Sequence, residues 1–340
     1  MIAFCVTALL VAVFVINWKS LSGLQGSIAA TSHTVRCPPL EHSQAAALPP
    51  ELRQVPLDFQ HKIITFDHFL SSREGYPDPN GTLITNYLFR LSPFPLHSAP
   101  LPVIKALVDT AVLNPRLVQV YLNDEDGVKF IDRYCTKRMK KAYDALIPTA
   151  YKADLLRLFL VYKYGGWYND MGHVYVQSLD VIATPYDGYV CTPDPATAWG
   201  LHDAFFGAYP RHPLIKFMAN YCVNNVMHKN FGIDPLDISS PTAIGRAFNL
   251  YFGLESQTPA DIGNHTRNGT AYNIVPSLGG VIQTKFTGYY DIMYHKRGVK
   301  HYHVLWMEKN VFNDTVLRSD AYRNSTECPE QILQEVPDPC

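Results

Sequence analysis

The stretch that most narrows what this chain can fold into is "PTAYKADLLRLFLVYKYGGWYND", residues 148–170. Thr149 stands where a helix cap would, a dense apolar run follows, and Gly165-Gly166 stops it, so a buried helix is predicted. "WYND" then runs on as a strand towards Asp170, with "HVYVQSL" and "GYVCT" as two more strand candidates. In α/β sheets ligands gather beyond the carboxyl ends of strands, so an acid at Asp170 is well placed to hold a divalent cation. Asp154 and Arg157 are three residues apart and share one helix face. Taken alone, they are an intrahelical ion pair worth about 0.2–0.5 kcal/mol.

The rest of the chain alternates in the same way. "HKIITF" (61–66) suits a first buried strand. "LPVIKALVDTAVLNP" has helical spacing and stops at Asn114-Pro115. "RLVQVYLNDED" alternates apolar and polar residues before an acidic loop, as a strand would, and helices are expected at Val128–Cys135 and Met139–Leu146. "RHPLIKFMANYCVNNVM" is helical, and "SSPTAIGRAFNLYFG" has Ser240 at a cap with Pro241 in the first turn. Alternating strands and helices predict an α/β class with a largely parallel sheet. No internal repeat is visible.

Length and charge narrow the function. The 340 residues suffice for one large domain or two modest ones. Lys+Arg 29 against Asp+Glu 30, with no long basic run, argues against nucleic acid as a partner. Neither G-x-S-x-G nor H-E-x-x-H occurs, which leaves a secreted hydrolase with little support. The uncharged Ile2–Ile16 is a signal anchor or a signal peptide. Lys19 and Arg36 after it argue weakly against a lumenal body. Five N-x-[ST] sequons, at Asn80, Asn264, Asn268, Asn313 and Asn324, argue for one. With Cys5 in the apolar segment, Cys37, Cys135, Cys191, Cys222, Cys328 and Cys340 form an even set, so up to three disulfides are expected. The expected organisation is an anchor or signal over 1–18, a Ser/Ala/Pro-rich stem over 19–57, a catalytic domain over 58–310 and a glycosylated, Cys-containing tail over 311–340.

The central block resembles family 32 of the glycosyltransferases, the sugar-binding region containing a DXD motif, which includes fungal Golgi mannosyltransferases and animal α-1,4-galactosyltransferases. The family pattern reads A-D-x-x-R, an apolar helix, then G-G-x-Y-x-D-x-D. Ala153, Asp154, Arg157, Gly165, Gly166, Tyr168 and Asp170 match it in type and spacing. "DAFFGAYPRHPLI" and "SSPTAIGRAF" resemble later family segments. The resemblance implies a GT-A-like, Rossmann-like nucleotide-sugar-binding fold, with a mixed, mostly parallel sheet flanked by helices. It implies transfer of a hexose from a UDP- or GDP-sugar to a glycan or glycolipid, with retention, at the Golgi membrane in type II topology; secretion after signal cleavage is the alternative. Asp154 and Arg157 would meet the donor, with Gly165, Gly166 and Tyr168 in the same site, and Asp170 would ligate Mn²⁺ or Mg²⁺ across the diphosphate.

This sequence departs from the pattern at the second acid, where Gly172 stands. His173, His301 and His303 are the candidates to complete the metal shell. Otherwise the metal is lost, and the alternative is an inactive relative that binds a sugar or a protein. Asp203 stands where the family commonly has Asn. It is either a nucleophile or ion-pair stabiliser, or a helix-cap acid, the cap being preferred. "FTGYYDIMYH" and Trp306 are candidates to line an acceptor groove.

Overall fold

The computed structural model describes residues 61–72, 81–276, 278–283 and 285–319. The apolar segment Ile2–Ile16, the stem, Cys5, Cys37, Cys328, Cys340, Asn80 and Asn324 lie outside these residues.

The described strands are β1 (Ile63–Thr65), β2 (Tyr87–Leu91), β3 (Val118–Leu122), β4 (Gly166–Asn169), β5 (Val174–Tyr175), β6 (Tyr189–Pro193), β7 (Leu201–Ala208), β8 (Gly263–Arg267), β9 (Thr270–Ile274) and β10 (Ile282–Gln283). Eight of them form one sheet in the order β1-β3-β2-β4-β7-β6-β9-β8. The pairs β1–β3, β3–β2, β2–β4 and β6–β9 are parallel, and β4–β7, β7–β6 and β9–β8 are antiparallel. Six strands therefore point one way, and β7 and β8 the other. This is the expected α/β class, a mixed and mostly parallel sheet flanked by helices.

Period-2 alternation sends successive strand side chains to opposite faces. Ile63 and Tyr121 pack on one face against Val103, Ile104 and Leu107 of the second helix, α2 (Leu101–Leu113), which follows α1 (Phe66–Ser71). Ile64, Phe89 and Val120 enter the core on the other face with α1 and the helices α3 (Asp124–Tyr134), α4 (Lys137–Ala145), α5 (Thr149–Tyr164), α6 (Pro213–Met227) and α7 (Pro241–Tyr251). Leu88, Trp167 and Phe205 form a third cluster.

Helix α5 is buried on nearly every side, from Tyr151 through Phe159 to Tyr164. Its N-cap is Pro148, so Thr149 is the first helical residue and not the cap. Gly165 ends it at φ +65, and Gly166 at φ +92 starts β4 directly. A Cβ at Gly166 would lie 2.6 Å from the Tyr87 carbonyl oxygen, so only glycine lets β4 approach β2 this closely.

Several sequence expectations need correction. "HVYVQSL" yields only the two-residue β5, which pairs with β10 in a separate antiparallel sheet. The buried Arg90 of β2 explains the break: its Nη2 donates to the carbonyls of Met171 (3.3 Å) and His173 (3.0 Å) and holds the chain in a turn there. Strands β2, β7, β8, β9 and β10 had no counterpart in the sequence reading. Cys191 and Cys222 are free, buried thiols, so the ceiling of three disulfides falls to two. Among the described residues no helix is long and apolar enough to cross a membrane.

Candidate donor-sugar site

The carboxyl ends of β2, β3 and β4 open on one edge of the sheet. Because β7 runs antiparallel to β4, with Asn169 opposite Phe205, its amino end reaches the same edge. The Asp170 N–H donates to the Ala204 carbonyl at 2.9 Å, which brings Asp170 beside Asp203. Below them α5 presents Asp154 and Arg157 one turn apart. Four residues from three elements thus meet on a cleft of about 400 Å³, lined also by Asp194, Lys285, Tyr289 and Tyr294.

Arg157 is the hub. Its Nη2 lies 2.9 Å from Asp154 Oδ1 and 3.5 Å from Asp170 Oδ1, and its Nη1 lies 3.3 Å from Asp203 Oδ2. Its guanidinium carbon stands 4.6 Å from the centre of the Tyr168 ring. The Tyr168 hydroxyl donates to Asp170 Oδ1 at 2.7 Å. Ser239 donates to Asp154 Oδ2 at 2.9 Å, and the Ser240 hydroxyl donates to the same oxygen. Ser240 is the N-cap of α7, as expected, but its hydroxyl makes no cap bond and serves Asp154 instead.

Three carboxyl groups on one guanidinium cannot all carry charge at low cost. Burial opposes ionisation at Asp170, yet Arg157, with help from His173, Lys285 and the Tyr168 hydroxyl, holds its pKa down at about 2. Burial pushes Asp203 well above the carboxylate range against Arg157, and the charges of Asp154 and Asp170 push the same way. Asp154 is also raised by burial, against Arg157 and its two serine bonds. Asp170 is therefore the acid of the cluster held most firmly in its charged form. Asp203 lies inside β7 and caps no helix, which corrects the preferred reading of that residue.

The other candidates are placed as follows. His173 is buried next to Asp170, but its Nδ1 is bonded to Asn169 Oδ1 at 2.6 Å and its ring stacks on His202. Burial lowers its pKa to about 3, so it is a neutral imidazole. His301 caps a short helix, Tyr302–Met307, by accepting from the His303 N–H at 3.3 Å. Neither His301 nor His303 lines the cleft. Gly165 and Gly166 sit at the far end of β4 from Asp170 and shape the backbone. The aromatic segment after Phe286 does line the cleft through Tyr289, Tyr290 and Tyr294, whereas Trp306 donates its indole N–H to the Phe231 carbonyl at 2.9 Å. Asn264, Asn268 and Asn313 are exposed.

The metal shell of a two-acid motif does not fit these residues. A Cβ at Gly172 would fall 2.6 Å from Cε2 of Tyr289, so the ring occupies the space of a second acid. Arg157 already fills the centre of the other three carboxyl groups. Among the described residues no group of three or more His, Cys, Asp or Glu side chains could hold a metal ion. The sequence reading missed Lys285 and Tyr289 in this role, because no local pattern links a distant loop to position 172.

Residues 102–188 match the family model of the glycosyltransferase sugar-binding region containing a DXD motif. That span holds Asp154, Arg157, Tyr168 and Asp170, and the match supports a general glycosyltransferase assignment. No curated protein matches the chain significantly. A solved structure similar to this chain, the PaToxG glycosyltransferase, is 16% identical with a TM-score of 0.42, over 50% of this chain and 71% of that one.

Proposed function

We propose that this chain moves a hexose from a UDP- or GDP-sugar to a glycan or glycolipid hydroxyl, with retention at the anomeric carbon. The observation that carries the reading is the cluster of Asp154, Arg157, Tyr168 and Asp170 at the carboxyl edge of the sheet, inside the matched region. Arg157, fixed by the three acids, and Asp154 hold hydroxyls of the donor. Asp170, ionised throughout the physiological range, faces the positive charge that develops on the sugar. The bond from C1 to the β-phosphate oxygen breaks and its electron pair stays on that oxygen. The acceptor oxygen bonds to C1 on the same face, and its proton passes to the departing phosphate. Asp203, which burial shifts towards its protonated form, contacts a sugar hydroxyl and does not serve as a nucleophile. Exposed sequon asparagines and the uncharged Ile2–Ile16 support a lumenal, membrane-anchored placement at the Golgi.

The test is hydrolysis of a panel of UDP- and GDP-sugars by the full chain. One donor is hydrolysed, and Asp170→Asn lowers kcat by about 10²–10³-fold, as loss of a transition-state electrostatic contact does. Gly172 favours a second reading, a relative that binds the sugar without turning it over. Binding of a donor with no hydrolysis, with or without an acceptor, would select that reading.

A further inference from the structure

We infer that this site meets the donor's diphosphate with a fixed lysine, Lys285, where the two-acid motif would use a divalent cation. The inference rests on the nucleotide-sugar reading above and names how that site handles phosphate charge. It starts from the space at position 172. Tyr289 Cε2 and Cδ2 would lie 2.6 and 2.8 Å from any Cβ there, closer than carbon atoms approach without displacement. The ring is held in place: the Phe286 N–H donates to the Gly172 carbonyl at 2.9 Å, and the Tyr289 N–H donates to the Phe286 carbonyl at 3.1 Å. The Tyr289 ring also packs edge-on against Phe286 and Tyr290, with centres 5.6 Å apart in each case. Gly172 is thus one half of a pair, and its partner carries the replacement.

That replacement is a cation at the same mouth. Lys285 Nζ lies 4.7 Å from the centre of the Tyr289 ring and 5.3 Å from that of Tyr290, a cation–π seat over two faces. The residue lines the cleft with Asp170, and its charge is among those that lower the Asp170 pKa. The other cleft cations are committed, Arg157 to its three acids and Arg297 to Asp124 at 3.5 Å. Lys285 forms no side-chain hydrogen bond or ion pair among the described residues beyond its seat on the two rings, so its donors are open to a ligand. Its backbone lies at φ +63, a left-handed conformation uncommon for a lysine, which sets the direction of the chain entering the Tyr289 segment. A ring in the second acid's space and an open ammonium on that ring make one arrangement suited to a diphosphate. An ammonium supplies one positive charge where a divalent ion supplies two, and it is exposed, so binding is salt-sensitive.

The experiment is calorimetric titration of the full chain with UDP and with GDP, in EDTA and in Mn²⁺, for the parent, Lys285→Met and Lys285→Arg. One nucleotide binds the parent with a Kd that agrees within about twofold between EDTA and Mn²⁺. Lys285→Met weakens it at least tenfold, and Lys285→Arg keeps it within about threefold. Equal urea midpoints for the three proteins show that the loss is not one of folding. A tenfold gain from Mn²⁺, or a Kd indifferent to Lys285→Met, overturns the lysine inference and leaves the nucleotide-sugar reading standing. No binding of either nucleotide under any condition overturns both.

Discussion

At Arg157 a single guanidinium, 5% exposed, lies within ion-pair distance of three carboxyl groups and over the ring of a tyrosine. Removing it leaves Asp170 without its counter-charge and the buried Asp154 and Asp203 without a donor, which is costlier than losing an exposed ion pair. Arg157→Met is expected to lower stability by about 3–5 kcal/mol, read as a fall in the urea unfolding midpoint. A loss under about 1 kcal/mol would mean that the acids neutralise each other by sharing protons. Position 172 makes the opposite kind of demand. Gly172→Asp drives a side chain into the Tyr289 ring and is expected to cost about 1–3 kcal/mol, as overpacking does. The double variant Gly172→Asp with Tyr289→Ala recovers stability relative to Gly172→Asp alone. If the two changes are additive in urea unfolding, the ring is not what fills the second acid's place.

The helix–diglycine–strand unit, α5 through β4, sets where the residues of the cluster stand. Its two glycines are used for backbone geometry: Gly165→Ala would place a Cβ 2.5 Å from Pro210 at φ +65, and Gly166→Ala one 2.6 Å from a carbonyl oxygen at φ +92. Each is expected to cost at least about 1–3 kcal/mol by thermal or urea unfolding, from φ strain and displacement of the neighbour. This unit was legible in the sequence because its signals are local: an unbroken apolar run, then Gly-Gly, then an acid. Other elements hid for identifiable reasons. Strand β2 carries Arg90, 0% exposed, as its fourth residue, so its pattern does not read as a buried strand. Strand β8, "GNHTR", is polar along its whole length, although Asn268-Gly269, both at positive φ, closes its hairpin with β9. Asp203 read as a cap because a lone acid after Leu-His gives no hint of a strand. The three acids could be found singly, but their convergence on one arginine depends on sheet order, which sequence spacing does not encode.

Across the whole molecule, the buried histidines tie stability to pH. Burial lowers both His173 and His212 to about 3, the first partly offset by Asp170 and the second by a backbone bond. His212 Nδ1 also accepts the Leu214 N–H as the cap of α6, which requires the neutral ring. The unfolded imidazoles take up protons near their ordinary value of 6.5 while the folded ones stay neutral, so the unfolded state binds more protons below it. Their stabilisation is complete above that value and is lost as pH falls towards 3, by about 1.4 kcal/mol per pH unit for each histidine. Asp170 adds a loss between 3.8 and about 2, and Asp203, raised by burial, acts in the reverse sense at higher pH. Urea unfolding between pH 7 and 5 should show the fall, and His173→Asn should flatten it. A pH-independent midpoint would mean that the rings are hydrated.

The sheet edge brings these parts together as one cleft, and the most direct test of that cleft is a crystal structure of the full chain with UDP or GDP bound. The account predicts the diphosphate at Lys285 and Tyr289, at the mouth of the cleft that Asp154, Arg157 and Asp170 line. A nucleotide bound away from this edge of the sheet, or a cleft that excludes it at saturating concentration, would contradict it.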